Sequence, residues 1–126
     1  MSLQNSETTN LVIKAYYNVY NKLGFGFLER VYENAMIIEL KKLGLTVEKQ
    51  KQIDVHYDNE IVGNYFSDII VNDSIILELK AAKRLTKKHT AQLLNYLKAT
   101  NIEVGLLLNF GKKAEFKRQL FHNNYK

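Results

Sequence analysis

Leu11, Ala15 and Val19 recur at i, i+4 spacing and predict a first helix. It is expected to open near Thr8 or Thr9, either of which can serve as N-cap, and to end near Leu23, before the break Gly24-Phe25-Gly26. Leu28, Val31, Ala35, Ile38 and Leu43 supply the apolar positions of a second helix from about Phe27 to Leu43, with Gly44 at C′. Thr46 to Val55 then reads as a strand, YDNE (Tyr57–Glu60) as turn chemistry, and Ile61 to Val71 as a second strand. NDS (Asn72–Ser74) is a tight turn into a third strand, Ile75–Lys80. Thr86 is placed to cap a third helix ending near Thr100. EVGLLLNF (Glu103–Phe110) is a nearly all-apolar fourth strand of the kind covered on both faces, and Gly111 breaks it. AEFKRQL (Ala114–Leu120) is a short last element whose pattern selects neither helix nor strand.

A strand–helix–strand unit near the end implies a right-handed parallel crossover. The expected fold is therefore α/β: a mixed central sheet, made of a three-strand meander plus a crossover strand, flanked by helices. The chain has 126 residues, no proline, no repeat and nothing resembling a linker, so residues 1–126 are expected to form a single domain. The absence of cysteine excludes disulfides and thiolate metal sites and fits a reducing compartment. The longest apolar runs, such as Val104–Leu108, are too short to cross a bilayer, and MSLQNSETTN lacks the order of a signal peptide. A cytoplasmic protein with no membrane partner is expected. The net charge of +5, concentrated in Lys80–Lys88 and Lys112–Arg118, attracts polyanions, nucleic acid first; it also fits a merely solvated surface.

The candidate chemistry lies inside the sheet. Side chains alternate along a strand, so Ile76, Glu78 and Lys80 share one face and Ile75, Leu77 and Leu79 the other. On the preceding strand Phe66, Asp68 and Ile70 share a face, and the short turn pairs the two strands antiparallel. Asp68 then lies beside Glu78. Neighbouring carboxylates repel, and a hard divalent cation reverses the sign of that interaction. Lys80 is close enough to orient a water or neutralise a phosphate. That set suits metal-assisted phosphodiester hydrolysis. The plainer alternative is an Asp68–Lys80 ion pair with Glu78 at a strand edge.

Three further features favour the chemical reading. Glu29 and Glu33 sit one turn apart on the second helix, so either can supply a third carboxylate, unless both belong to an exposed charged stripe with Arg30. Gln92, Asn95 and Tyr96 share a face of the third helix, and Gln and Tyr side chains can hold a phosphate or a nucleophilic water. Lys83, Arg84, Lys87 and Lys88 follow the acidic pair and are placed to neutralise a nucleic-acid backbone.

The segments GFLERVY (Gly26–Tyr32), YFSDIIVNDSIILELKA, HTAQLLNYLKATNIEVGLLLNFG and EFKR, in this order, resemble the bacterial and archaeal proteins named for a GxxExxY motif, which are placed in the PD-(D/E)XK nuclease superfamily. The resemblance covers the chain from about Leu11 to Arg118. It implies a restriction-endonuclease-like core, with Asp68 and Glu78 as metal-binding acids and Lys80 as the signature lysine. Glu29 would be the helical acid and third metal ligand, with Glu33 a second candidate, and Gln92 and Tyr96 would act from the following helix. Ser67 stands where the superfamily's name has proline. The implied activity is Mg²⁺- or Mn²⁺-dependent hydrolysis of nucleic acid, DNA first. A catalytically silent nucleic-acid-binding domain is the second reading. The third is an interaction or homodimerisation module that offers Tyr16, Tyr17, Tyr20 and Phe25 to a partner.

Overall fold

The computed structural model describes residues 5–126. Three helices, α1 (Ser6–Leu23), α2 (Glu29–Lys42) and α3 (Lys87–Lys98), pack on a five-stranded sheet, and a 3₁₀ turn (Asn123–Tyr125) ends the chain. The strands are β1 (Val47–Tyr57), β2 (Glu60–Val71), β3 (Ile75–Lys80), β4 (Val104–Phe110) and β5 (Ala114–Leu120). Their spatial order follows the chain, β1-β2-β3-β4-β5. β1, β2 and β3 form an antiparallel meander, and β4 lies parallel to β3 after the crossover through α3. The mixed sheet flanked by helices is the expected α/β architecture.

The turns follow from their residues. Asp58 and Asn59 join β1 to β2 with φ of 51° and 66°, and Asn72 and Asp73 join β2 to β3 with φ of 51° each. Asn and Asp tolerate this left-handed region, whose twist suits a hairpin. Gly44, at φ 81°, takes the C′ position of α2. Thr86 caps α3 through a capping box: its side chain accepts the His89 N–H, and the His89 ring accepts the Thr86 N–H.

Alternation splits β3 between two cores. Ile75, Leu77 and Leu79 join Tyr16, Tyr32, Met36 and Leu108 beneath α1 and α2. Ile76 joins Ile53, Ile70, Leu93, Leu97 and Leu107 beneath α3. All seven residues of β4 are buried, as its apolar run implies.

Several expectations need correction. The helix α1 starts at Ser6 after Asn5, and Thr9, offered as a cap, lies within it and is buried. Its buried stripe is Val12, Ala15, Tyr16 and Val19, while Leu11 is only partly covered. In α2 the buried residues are Tyr32, Glu33, Met36 and Leu40, whereas Leu28, Val31 and Ile38 face solvent. Tyr32 stacks on Phe110 (centroids 4.2 Å apart), so the face that carries Tyr32, Met36 and Leu40 meets the sheet. The unassigned AEFKRQL segment is β5, an edge strand antiparallel to β4. Tyr16 is not offered to a partner: it is fully buried, donates to the Asn109 carbonyl and accepts the Glu115 N–H at 2.9 Å. Tyr20 is half-buried, its hydroxyl shared between the carbonyls of Gly111 and Lys112 (2.6 and 2.7 Å). Tyr17 and Phe25 do reach the surface.

Candidate active site

The β2–β3 ladder runs through Val71↔Ile75, Ile70↔Ile76 and Ile69↔Leu77 and then stops. Beyond it the two strands are joined by side chains. Glu78 Oε2 accepts the backbone N–H of Asp68 at 2.9 Å, and Asp68 Oδ2 accepts the N–H of Leu79 at 2.8 Å. Each carboxylate holds the other's strand, leaving the second oxygen of each for a further ligand. The expectation that Asp68 and Glu78 lie on adjacent antiparallel strands is met.

Glu78 is 3% exposed. Burial, then repulsion from Asp68, pushes its carboxyl up to about 8, against the pull of the Asp68 N–H and of Lys80. Asp68 is raised too, first by burial and then by Glu33 and Glu29, while the Leu79 N–H and Lys80 oppose the shift. The pair is thus desolvated and mutually repelling. Two hard oxygen donors in that state fit a divalent cation, which removes the repulsion. Among the described residues no group of three or more His, Cys, Asp or Glu side chains forms a ready-made metal cluster.

Lys80 comes from the same strand. Its ammonium donates to Gln92 Oε1 at 3.0 Å, and among the described residues it forms no ion pair with Asp68. The Asp68–Lys80 ion pair of the plainer alternative is therefore absent. The hydroxyl of Tyr96, also on α3, is held up to about 12, mainly by burial and then by the Glu78 and Asp68 carboxylates. Its ring packs 5.4 Å from that of Tyr65. Asn95 lies apart, beside Val55, His56 and Tyr65.

The helical acids approach from the opposite layer. Glu29, Glu33 and Asp68 line one pocket of about 320 Å³, together with Arg30, Lys49 and Gln50. Glu33 is engaged there: Gln50 donates to its Oε2 at 2.7 Å and Lys49 lies 3.5 Å from its Oε1. Among the described residues Glu29 Oε2 accepts only a long contact from the Ala81 N–H, at 3.4 Å, where β3 ends. The GFLERVY motif explains how Glu29 is positioned. The Tyr32 hydroxyl donates to the Gly24 carbonyl (2.7 Å) and accepts the Phe27 N–H (3.1 Å), clasping the loop that leads into Glu29.

Two supports escaped the sequence. Asn109 pairs across from Lys80 on β4 and is buried. Its amide accepts the Ala82 N–H (2.9 Å) and donates to the Ala82 carbonyl (3.0 Å), fixing the chain just after the lysine. A polar residue inside the run GLLLNF was the available signal. Gln50 falls between the Lys49↔Ile69 and Lys51↔Ser67 pairs, opposite Asp68, and carries φ 52°. No side-chain pattern announces that backbone. Of the cations, Lys83, Arg84, Lys87 and Lys88 are all exposed. Lys87 and Lys88 open α3, a turn with no acidic residue, where the helix dipole disfavours cations.

Residues 6–119 match the family model of the PD-(D/E)XK nuclease superfamily. No curated protein matches. The chain is also similar to the crystal structure of SSO0001, with a TM-score of 0.57 and 19% identity, over 94% of this chain and 59% of that one. At that identity the likeness speaks for the fold alone, and this chain spans 59% of the length of that structure.

Proposed function

This chain belongs to the PD-(D/E)XK nuclease superfamily, and on that premise we propose that it is a divalent-metal-dependent nuclease of the GxxExxY type, a single domain that hydrolyses phosphodiester bonds in nucleic acid, DNA first. The observation that carries the reading is the interlocked Asp68–Glu78 pair, buried and raised in pKa, with Lys80 two residues on and held by Gln92. A structural ion pair would place the lysine on the acids; here it is held to the side. Asp68 and Glu78 would hold Mg²⁺ or Mn²⁺, and Glu29 is the better third acid because Glu33 is already engaged. When bound, the ion stabilises charge developing on the phosphate and lowers the pKa of a coordinated water. Lys80 presents its ammonium to the scissile phosphate, Gln92 orients that ammonium, and Tyr96 shields the acids from solvent on the α3 side. The four cations at 83, 84, 87 and 88 neutralise the backbone.

The silent binding domain is favoured by one observation, the lack of a ready-made three-ligand cluster among the described residues. Cleavage of a panel of duplex, single-stranded and branched nucleic acids separates the two readings. The nuclease reading expects cleavage with Mg²⁺ or Mn²⁺ and none with EDTA. Binding with no cleavage under either metal would leave the silent domain standing.

A further inference from the structure

A second and larger cavity, about 800 Å³, opens beside the acidic pocket, and of its lining only Lys83 and Arg84 have a part in the chemistry above. The loop before α2, the loop after β3 and the β4–β5 turn enclose it. Phe25 and Phe27 are 54% and 47% exposed on one wall. Lys83, Arg84, Lys112 and Lys113 supply the cations around it. Its acid, Glu115, is already engaged by the Leu85 N–H at 2.9 Å. We infer that this cleft seats unpaired nucleotides, stacking a base on the Phe25–Phe27 wall, and that the substrate is a single-stranded or locally unpaired strand. The inference rests on the nuclease reading and names its substrate class.

Four features of the cleft support that occupant. Its charge complements a phosphate chain, whereas the acidic pocket beside it does not. Two half-exposed aromatic rings offer faces on which any base can stack. Paired bases in a duplex are already stacked on their neighbours and leave no such face free. The walls are also fixed in advance. Tyr32 clasps the Phe27 backbone, Asn109 clamps Ala82, and Tyr20 holds Gly111 and Lys112. A Cβ at Gly111 would stand 2.5 Å from the Ala82 carbonyl, so only glycine lets the two loops meet at this depth. Finally, the cleft adjoins the acids: Phe27 lies two residues before Glu29, and Ala81, which contacts Glu29, directly follows Lys80. A strand seated on the aromatic wall leads its backbone to Lys80.

The test is binding in EDTA, with a short single strand carrying one 2-aminopurine, the same strand with abasic sites, and a duplex of equal length. Stacking quenches 2-aminopurine. Wild type is expected to quench it and to bind the base-bearing strand on the order of tenfold tighter than the abasic one. Phe25→Ala should abolish the quenching and close that gap. Phe25 is the cleaner probe, because Phe27 also packs edge-on against Tyr32. Lys112→Gln with Lys113→Gln should weaken all strands alike and flatten the log–log salt slope by about 0.7 per cation lost. The abasic comparison needs no variant, so it decides even where a substituted protein does not fold. Equal affinity for abasic and base-bearing strands, tighter binding of duplex, or no binding of the single strand overturns the inference. A parallel Mg²⁺ cleavage assay tells whether the nuclease reading falls with it: duplex cleaved without base-dependent binding sinks only the stacking site.

Discussion

The two ends of β3 follow opposite rules. Ile75, Ile76 and Leu77 pair in register with β2 and are fully buried, feeding two cores. Glu78, Leu79 and Lys80 keep their register with Leu107, Leu108 and Asn109 of β4, but the β2 ladder is gone. Two carboxylates stand in for it. Each apolar side chain buried in the first half contributes roughly 1.5–3 kcal/mol. In the second half, desolvation and repulsion oppose folding of the metal-free protein. Stability alone would continue the apolar ladder to the end of the strand. The difference shows where the fold gives way to chemistry, within one six-residue strand.

Breaking the second half should have the largest effect on function. Asp68→Ala and Glu78→Ala are each expected to lower metal-dependent cleavage by on the order of a thousandfold or more, several kcal/mol of transition-state stabilisation. Their metal-free stability should change little, because the repulsion relieved is offset by the backbone N–H that each truncation leaves without its partner. Cleavage rates beside denaturant midpoints check both statements. Leu77→Ala, in the first half, should do the reverse. It should lose about 2–5 kcal/mol of stability while the folded fraction keeps its cleavage rate. A Leu77→Ala protein as stable as wild type would break the comparison.

The acidity of Glu78 sharpens the contrast. Its carboxyl rises from the ordinary 4.5 to about 8 in the fold, so the folded state holds that proton more tightly than the unfolded chain. The stabilisation is complete below about 4.5 and is lost as pH climbs toward 8. The melting temperature of the metal-free protein should therefore fall across that window, and Glu78→Gln should flatten the decline. Thermal melts in EDTA at several pH values read this directly, and a wild-type melting temperature that rises from pH 5 to 8 would contradict it.

The smallest effect is expected at Tyr32. Tyr32→Phe keeps the ring stack on Phe110 but removes the clasp on Gly24 and Phe27. It should cost roughly 1–3 kcal/mol of stability. It should also reduce cleavage more than the distant Tyr17→Phe does, because the loop it anchors leads into Glu29. Equal cleavage by the two variants would leave the clasp a purely structural feature.

How much of this was legible in the sequence follows the same division. β3 was readable to its last residue because a short, mostly apolar run follows a tight Asn-Asp-Ser turn, and that turn pairs it antiparallel with β2. With that pairing, Asp68 had to face Glu78. The face of α2 was not readable. The exposed Leu28, Val31 and Ile38 are as many as the buried Tyr32, Met36 and Leu40, and Tyr32 wins because both its ring and its hydroxyl find partners. A count of apolar positions cannot register a hydrogen-bonded aromatic. Glu29 against Glu33 was undecidable for a similar reason. Both lie on one helix face, and only Gln50, brought round by a left-handed backbone in β1, distinguishes the engaged acid from the open one. The edge strand β5, part-buried along most of its length, carries no clear alternation to read.

The account stands or falls on whether the two carboxylates at the fork of β2 and β3 hold a divalent ion. Calorimetric titration of the metal-free wild type with Mg²⁺ or Mn²⁺ near neutral pH, beside Asp68→Ala and Lys80→Ala, tests that most directly. Wild type and Lys80→Ala should bind with similar affinity in the millimolar range or tighter, since the ammonium is no ligand, and Asp68→Ala should show no binding. Wild type that takes up neither ion at millimolar concentration, or Asp68→Ala that binds as wild type does, would contradict the central claim.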